Sequence, residues 1–306
     1  MVVYKELASI EHDLGFSLRT LYGLSHNLEK HYHNVCIPKS DGTNRRLSVP
    51  DLILKKVQRS IADNILSYYP ISVYAMAYKV GSSVQRNARP HVGKKKILKL
   101  DIEGFFDNIL YSQVKNKVFY EEKYSEPVRV LLTMLCYYKE SLPQGAPTSP
   151  AITNIIMYDF DEKIGNLCKK RNVAYTRYCD DMTFSGDFDE KEIISVVKDE
   201  LKKLGLFLKN RKTVVISEYK RQTVTGIVVN EKINITKEYK KKIRQEVYYI
   251  KKFGLDEHLK RACISDKRLY IDSLMGRIAY VLQTIPDNTE FNAYKKDLQK
   301  IKEQLK

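Results

Sequence analysis

Apolar residues recur along this chain with two different periods, and the switches between them mark its elements. Residues 51–69, DLILKKVQRSIADNILSYY, follow Pro50 and repeat apolar side chains at Leu54, Val57, Ile61 and Ile65, a spacing that predicts a helix. KILKLDI at 96–102 interleaves apolar side chains with lysines before the break at Gly104, which predicts a strand that delivers Asp101 at its exit. Ser149 and Pro150 supply an N-cap and a first-turn proline, and Ile152, Ile155, Ile156, Phe160, Ile164 and Leu167 carry the helical spacing on to about residue 169. AYTRYCDDMTFS at 174–185 sets Tyr, Thr and Phe on both sides of Asp180-Asp181, the pattern of two strands joined by a tight turn. Ile194, Val197, Leu201 and Leu204 then repeat helically up to Gly205, and a further extended pair, TVVIS and TVTGIVVN, follows. Residues 236–306 read almost wholly as helix. The order strand, helix, hairpin, helix, strands predicts the α+β class, a sheet with helices on one face.

Composition narrows the class. With 306 residues, 43% of them hydrophobic, the chain can bury a substantial core in one large domain or two moderate ones, and no repeat, linker or low-complexity segment interrupts it. No stretch approaches the roughly 20 uninterrupted apolar residues of a bilayer span, and MVVYKELASIEHD lacks the basic-then-apolar order of a signal peptide, so a soluble cytoplasmic protein is expected. Five scattered cysteines without a C-x-x-C pair indicate neither a disulfide framework nor a cysteine-based zinc site. His31, His33 and Cys36 lie close together, but no second ligand cluster follows them. Fifty-three Lys and Arg against 37 Asp and Glu give a net charge of +16, the footprint of a protein that meets polyphosphate backbones. The excess is spread over both the first 230 residues and the tail, so charge alone locates no groove. Twenty-two tyrosines add stacking surfaces for bases, although most tyrosines in any protein are half-buried packing residues.

The acids at the strand ends change the picture. An acid at a strand exit, or a pair of Asp at a turn, is ordinary when taken singly. Here the pair is flanked by Tyr178 and Phe184 on strands that should be buried, and adjacent carboxylates repel unless a cation stands between them. Hard divalent ions take oxygen ligands, and three carboxylates from two neighbouring strands suit two of them.

KLDIEGFFDNI at 99–109, LPQGAPTSP at 142–150 and YCDD at 178–181 resemble, in order and spacing, the motif series of reverse transcriptases. KSDGTNRRLSVP at 39–50, LFLKNRKT at 206–213 and Val224-Thr225-Gly226 extend the likeness over about residues 39–230. NARPH at 87–91 and Val224-Thr225-Gly226 resemble the Asn-Ala-x-x-His and Val-Thr-Gly elements of bacterial retron reverse transcriptases. Cys179 departs from that group, which usually carries alanine between the Tyr and the Asp; cysteine is small enough to sit beside a primer terminus.

The resemblance implies a right-hand polymerase fold, with fingers and palm over residues 1–230 and an α-helical thumb over 231–306. It implies two Mg²⁺ ions bridged by Asp101 and Asp180, with Asp181 in support, the Ile102 carbonyl as a further ligand and Lys212 as general acid toward pyrophosphate. Lys39 and Arg45 would clamp the phosphates of the incoming dNTP, Phe106 would select deoxyribose, and Gln144 would hydrogen-bond around the nucleotide and template. Asn87, His91, Val224, Thr225 and Gly226, with Arg244 and Lys251 of the tail, would hold RNA. Plain alternatives stand beside several of these: a solvated loop pair for Lys39 and Arg45, a core ring for Phe106, a capping Asn87, a surface His91, and a solvated charged face for the tail. The implied function is to copy part of a cognate structured non-coding RNA into single-stranded DNA, a branched RNA–DNA product, in the bacterial cytoplasm, within an antiphage defence system whose effector is a separate protein. The competing readings are another bacterial reverse transcriptase of the defence-associated or group II intron type, an RNA-templated RNA polymerase, and a catalytically silent RNA-binding scaffold. Phe106 speaks against the second of these and the intact acids against the third.

Overall fold

Asp51 starts the first long helix, Leu52–Asn64, by accepting a hydrogen bond from the Leu54 amide, and the stripe of Leu54, Val57 and Ile61 is buried as its spacing predicts. The helix stops short of the expected residue 69, and a separate 3-10 turn, Leu66–Tyr68, completes the segment. The computed structural model describes residues 4–38, 42 and 44–305. By packing they divide into two units, Met1–Ser82 with Leu98–Val215, and Ser83–Ile97 with Ile216–Lys306. This is a partition by contacts, distinct from the functional division at residue 230 that the family resemblance implies.

The first unit carries a hairpin and most of a four-stranded sheet. Strands β1 (Tyr32–Pro38) and β2 (Asn44–Pro50) pair antiparallel from Tyr32 opposite Pro50 to Pro38 opposite Asn44. The larger sheet comprises β3 (Lys96–Asp101), β4 (Ala174–Tyr178), β5 (Asp181–Gly186) and β6 (Val214–Ser217), in the order β4-β5-β3-β6. Strands β4 and β5 pair antiparallel with Tyr178 opposite Asp181, which leaves Cys179 and Asp180 as a two-residue tip. The expected helix from Ser149 is two helices, Ser149–Ile156 and Tyr158–Lys170, separated at Met157 by bridge-region backbone (φ −85°, ψ −1°) that no Gly or Pro announces. Ser149 is not the N-cap either: it lies inside the helix, and its buried hydroxyl donates to the Pro143 carbonyl at 2.9 Å. Phe160, Ile164 and Cys168 of the second helix join Leu98, Leu100, Met182 and Phe184 in one apolar core.

In the second unit, β7 (Thr223–Val224), β8 (Ile227–Val228) and β9 (Asn234–Ile235) form a three-stranded sheet in that order. TVVIS and TVTGIVVN are therefore not partners. The first supplies β6, while the second folds back on itself at Thr225 and Gly226, whose φ values of 45° and 83° fit a tight two-residue turn. Helices Lys237–Phe253, Leu255–Arg261, Lys267–Thr284 and Thr289–Gln304 follow, and Thr236, Asp266 and Asn288 cap the three long ones with side-chain oxygens. Ala88 and Ile97 of the inserted segment are buried with Ile243, Val247, Leu274, Ile278 and Phe291. Among the described residues, no helix is long and apolar enough to cross a membrane.

Gly165 lies under the Tyr74 ring, where an added Cβ would stand 2.0 Å from Cε2. Alanine ordinarily improves a helix interior by about 1 kcal/mol over glycine. Here overpacking should outweigh that gain, so Gly165→Ala is expected to destabilise the full chain by about 1–3 kcal/mol. A thermal midpoint that rises in this variant would contradict the close approach.

Candidate active site

Asp101 is nearly buried at the end of β3, while Asp180 and Asp181 stand at the tip and first residue of the β4–β5 hairpin. Backbone hydrogen bonds join these segments. The Ile102 amide donates to the Asp180 carbonyl at 3.1 Å, and the Lys209 amide donates to the Asp101 carbonyl at 2.8 Å. The strand exit, the hairpin tip and the segment leading to Lys212 are thereby held in one place. The Lys212 ammonium forms an ion pair with Asp101 Oδ2. Burial works against its charge, but Asp101, Asp181 and Asp180 together hold it above the usual lysine range. Lys99 on β3 faces Asp181 and is half-buried; burial pulls its pKa down and Asp181 opposes that shift.

Loss of water around the Asp181 carboxyl, reinforced by Asp180 and by a hydrogen bond shared with Asp101, pushes its pKa up to about 6. Among the described residues, no three His, Cys, Asp or Glu side chains stand ready to hold an ion as they are. Asp101 gives one oxygen to Lys212, and ligation requires that ammonium to step aside. The donor set itself fits a hard divalent cation: it is all oxygen, it is mutually repelling, and it already attracts the nearest cation in reach.

Around the acids, Phe105 is the buried core ring and Phe106, 5.6 Å away in an edge contact, is only half-buried. The Phe106 carbonyl accepts from the Leu142 amide at 3.1 Å, and the Gln144 carbonyl accepts from the Ser48 amide at 2.9 Å. The LPQG turn is thus tied both to the segment after β3 and to β2. Gly145 has φ +130°, and a Cβ there would stand 2.8 Å from the Ser48 carbonyl oxygen, so this contact requires glycine. Arg45 is exposed opposite Ile37, one pair from the end of the ladder where β1 leads into β2. Lys39 lies outside the described residues.

Residues 37–244 match the family model described as reverse transcriptase (RNA-dependent DNA polymerase). The retron Ec86 reverse transcriptase of Escherichia coli is 31% identical over 243 residues, spanning 76% of this chain and 74% of that protein. This chain belongs to the retron reverse transcriptases. A second relative, the retron Mx65 reverse transcriptase of Myxococcus xanthus, is 28% identical over 281 residues, and this chain covers 85% of its own length and 63% of the relative's. Among solved structures, telomerase from Candida albicans in complex with a fragment of telomeric RNA is similar over 89% of this chain and 59% of its own, at a TM-score of 0.48 and 12% identity, a likeness that bears on neither substrate nor mechanism. The activity of the family is RNA-directed DNA polymerisation, its fold is the right-hand polymerase fold of the α+β class, and its members use divalent metal ions.

In this reverse transcriptase the two retron-like motifs meet. The Asn87 side-chain amide donates to Thr225 Oγ1 at 3.3 Å, Thr225 Oγ1 donates to the Val84 carbonyl at 3.4 Å, and the Gly93 amide donates to the Val229 carbonyl at 3.0 Å. Asn87, His91 and Val224 are buried, so in this structure their side chains face the protein interior. They shape the turn on which Thr225 is half-exposed and Gly226 exposed. Arg244 and Lys251 are half-exposed but already paired, Arg244 with Glu290 at 2.7 Å and Lys251 with Asp297 at 2.6 Å.

The sequence reading passed over Arg177, Asp161, Lys99 and Tyr78. Arg177 and Asp161 form an ion pair with both side chains fully buried. A signal was present: Asp161 shares the buried face of its helix with Gly165 and Cys168 at i+4 and i+7, where a lone acid needs a partner. The Tyr78 hydroxyl reaches Cys179 Sγ at 3.5 Å. Burial, aided by Asp180, pushes the Cys179 thiol up to about 12, so it stays protonated and is no nucleophile at neutral pH.

The raised carboxyl has a consequence for the metal-free protein. Asp181 binds its proton more tightly folded than unfolded, so between about pH 4 and 6 folding takes up protons, and stability falls as pH rises through that window. Asp181→Asn should therefore raise the thermal midpoint at pH 7.5, by only about 1–3 °C because the residue, its carboxyl partly desolvated, keeps part of its surface in water, and leave it unchanged at pH 4. Melting curves at the two pH values in chelator check this; a gain at pH 4 as large as at pH 7.5 would contradict it.

Proposed function

We propose that this enzyme copies part of a cognate structured non-coding RNA into single-stranded DNA by two-metal nucleotidyl transfer at Asp101, Asp180 and Asp181. The reading is carried by one observation: the three acids lie on segments joined by the Ile102–Asp180 hydrogen bond, with the Lys212 ammonium drawn onto Asp101. Two Mg²⁺ ions bound by these carboxylates, with the Ile102 carbonyl as a further ligand, would supply primer-hydroxyl activation and neutralisation of phosphate charge. Lys212, displaced from Asp101 but still protonated, donates a proton to the leaving pyrophosphate. Arg45 and Lys39 draw the β and γ phosphates toward the fingers, and Gln144, fixed through its backbone to β2, aligns the nucleotide. Phe106 places a half-buried ring against the sugar, where a 2′-hydroxyl would collide.

Residues 1–230 serve as fingers and palm, and 231–306 as the thumb. RNA is held by the exposed Thr225-Gly226 turn and by the thumb cations Arg244 and Lys251, with Asn87, His91 and Val224 acting from beneath. The template is an RNA of the enzyme's own locus, priming starts from the 2′-hydroxyl of a guanosine in it, and the branched RNA–DNA product works with a separate effector protein against phage in the bacterial cytoplasm.

Replacing both Asp180 and Asp181 with Asn should reduce deoxynucleotide incorporation by at least about 10³-fold; retained incorporation sinks the metal-site assignment. Phe106→Ala should increase ribonucleotide use relative to deoxyribonucleotide by about tenfold, measured as the ratio of kcat/KM values. Nucleic acid co-purifying with the protein should contain a debranching-sensitive RNA–DNA species, and its absence would remove the branched-product reading.

A further inference from the structure

We propose that Arg177 is a positioning residue for the catalytic tip, acting through one guanidinium that joins three elements. This deepens, and rests on, the polymerase reading above. Arg177 Nε and Nη2 donate to Asp161 at 2.6–3.1 Å, Nη2 also donates to Asn154 Oδ1 at 3.1 Å, and Nη1 donates to the Cys179 carbonyl at 2.9 Å. The Tyr175 hydroxyl completes the acceptor side by donating to Asp161 Oδ1 at 2.8 Å. Asn154 carries the network onward, its amide donating to the Ala77 carbonyl at 3.0 Å. The Arg177 backbone meets the same segment through the Tyr74 carbonyl and the Met76 amide.

The position of the Cys179 carbonyl is what makes this more than packing. Cys179 has φ +61°, left-handed backbone that a side chain other than glycine adopts at a cost. Its carbonyl belongs to the peptide plane that enters Asp180, and the Asp180 carbonyl on the far side is held by the Ile102 amide. Both peptide planes flanking Asp180 are therefore fixed, one from Arg177 and one from the strand that carries Asp101. A buried ion pair is a poor device for stability alone, because an apolar pair of the same volume does as well or better. A planar fork with several directed donors is, however, what three acceptors in different directions require, and a lysine ammonium cannot reproduce it. Arg177 touches no reacting atom; it acts through the backbone of Asp180.

The test uses the full chain with Arg177→Lys, and with Leu132→Ala as a buried cavity control away from the tip. Two quantities are read: amide hydrogen exchange of peptides covering 176–183 without metal or nucleotide, and primer extension on an RNA template. In folded Arg177→Lys, exchange at the tip should quicken about tenfold, and kcat should fall by on the order of 10- to 100-fold with the KM for dNTP within about twofold. Leu132→Ala should lower the thermal midpoint without either change. The proposal is overturned if tip exchange in folded Arg177→Lys is unchanged, or if Leu132→Ala shows the same local loosening and the same loss of kcat. Should Arg177→Lys not fold, Asn154→Ala removes one acceptor and leaves the ion pair; about threefold changes of the same kind are expected, and none would overturn the proposal. Exchange is read without activity, so an unsubstituted chain that fails to polymerise would defeat the proposed function and leave this measurement decisive for Arg177.

Discussion

Three carboxylates meet where two strands end, and their mutual repulsion is the constraint the rest of the first unit answers. Left to themselves, Asp101, Asp180 and Asp181 would separate; their repulsion adds to burial in raising the Asp181 carboxyl, and Lys212 and Lys99 stand against it. Side-chain cations alone could not hold such an arrangement, because a lysine stem has many rotamers and pays entropy to stay. The backbone does the holding. The Ile102 and Lys209 amides tie the strand exits together through main-chain hydrogen bonds that do not depend on a bound cation. The fold thus holds three mutually repelling oxygen donors near one another, with Lys212 as the counter-charge that a divalent ion would have to displace.

Much of this frame was legible in the sequence, for a physical reason: strands and amphipathic helices with a clear period declare themselves locally. The β4–β5 hairpin, the Asp101 strand exit and the helix ending before Gly205 fall where periodicity puts them. What the sequence hid carries no distinctive local mark. The break at Met157 has no Gly or Pro to mark it, and Ser149 is drawn from its capping role by the Pro143 carbonyl. TVVIS and TVTGIVVN look alike as strands, and only tertiary pairing sends them to different sheets. Motif order singled out the acids, whereas Arg177, whose side-chain partners are Asp161 and Asn154 on two preceding helices and the Cys179 carbonyl beside it, could be found only by asking where the buried Asp161 goes.

The two short retron-like motifs owe their joint occurrence to contact within the protein. Asn87 and Thr225 are 138 residues apart and share a hydrogen bond, with His91 and Val224 buried alongside. Polar residues in such strings suggest an RNA contact, but burial leaves Asn87 and His91 no surface to present. Their joint occurrence follows from packing: the inserted segment 83–97 belongs to the second unit's core, and a tight turn with positive φ at Thr225 needs a partner for its hydroxyl.

The charge of the second unit needs similar care. The whole chain's net charge of +16 suggests many phosphate contacts, yet Arg244, Lys251, Arg277 and Lys302 of this unit are each paired with one of its own carboxylates. A cation that must leave a carboxylate to meet a phosphate exchanges one ion pair for another, and gains less than a free one. The exposed Tyr248 ring with Lys252 lying 5.4 Å over it is differently placed: no carboxylate bond must break before a base stacks there. Under the proposed role of this unit in holding RNA, affinity would accordingly depend on stacking and shape more than its basic residue count implies, with a salt dependence weaker than that count would give.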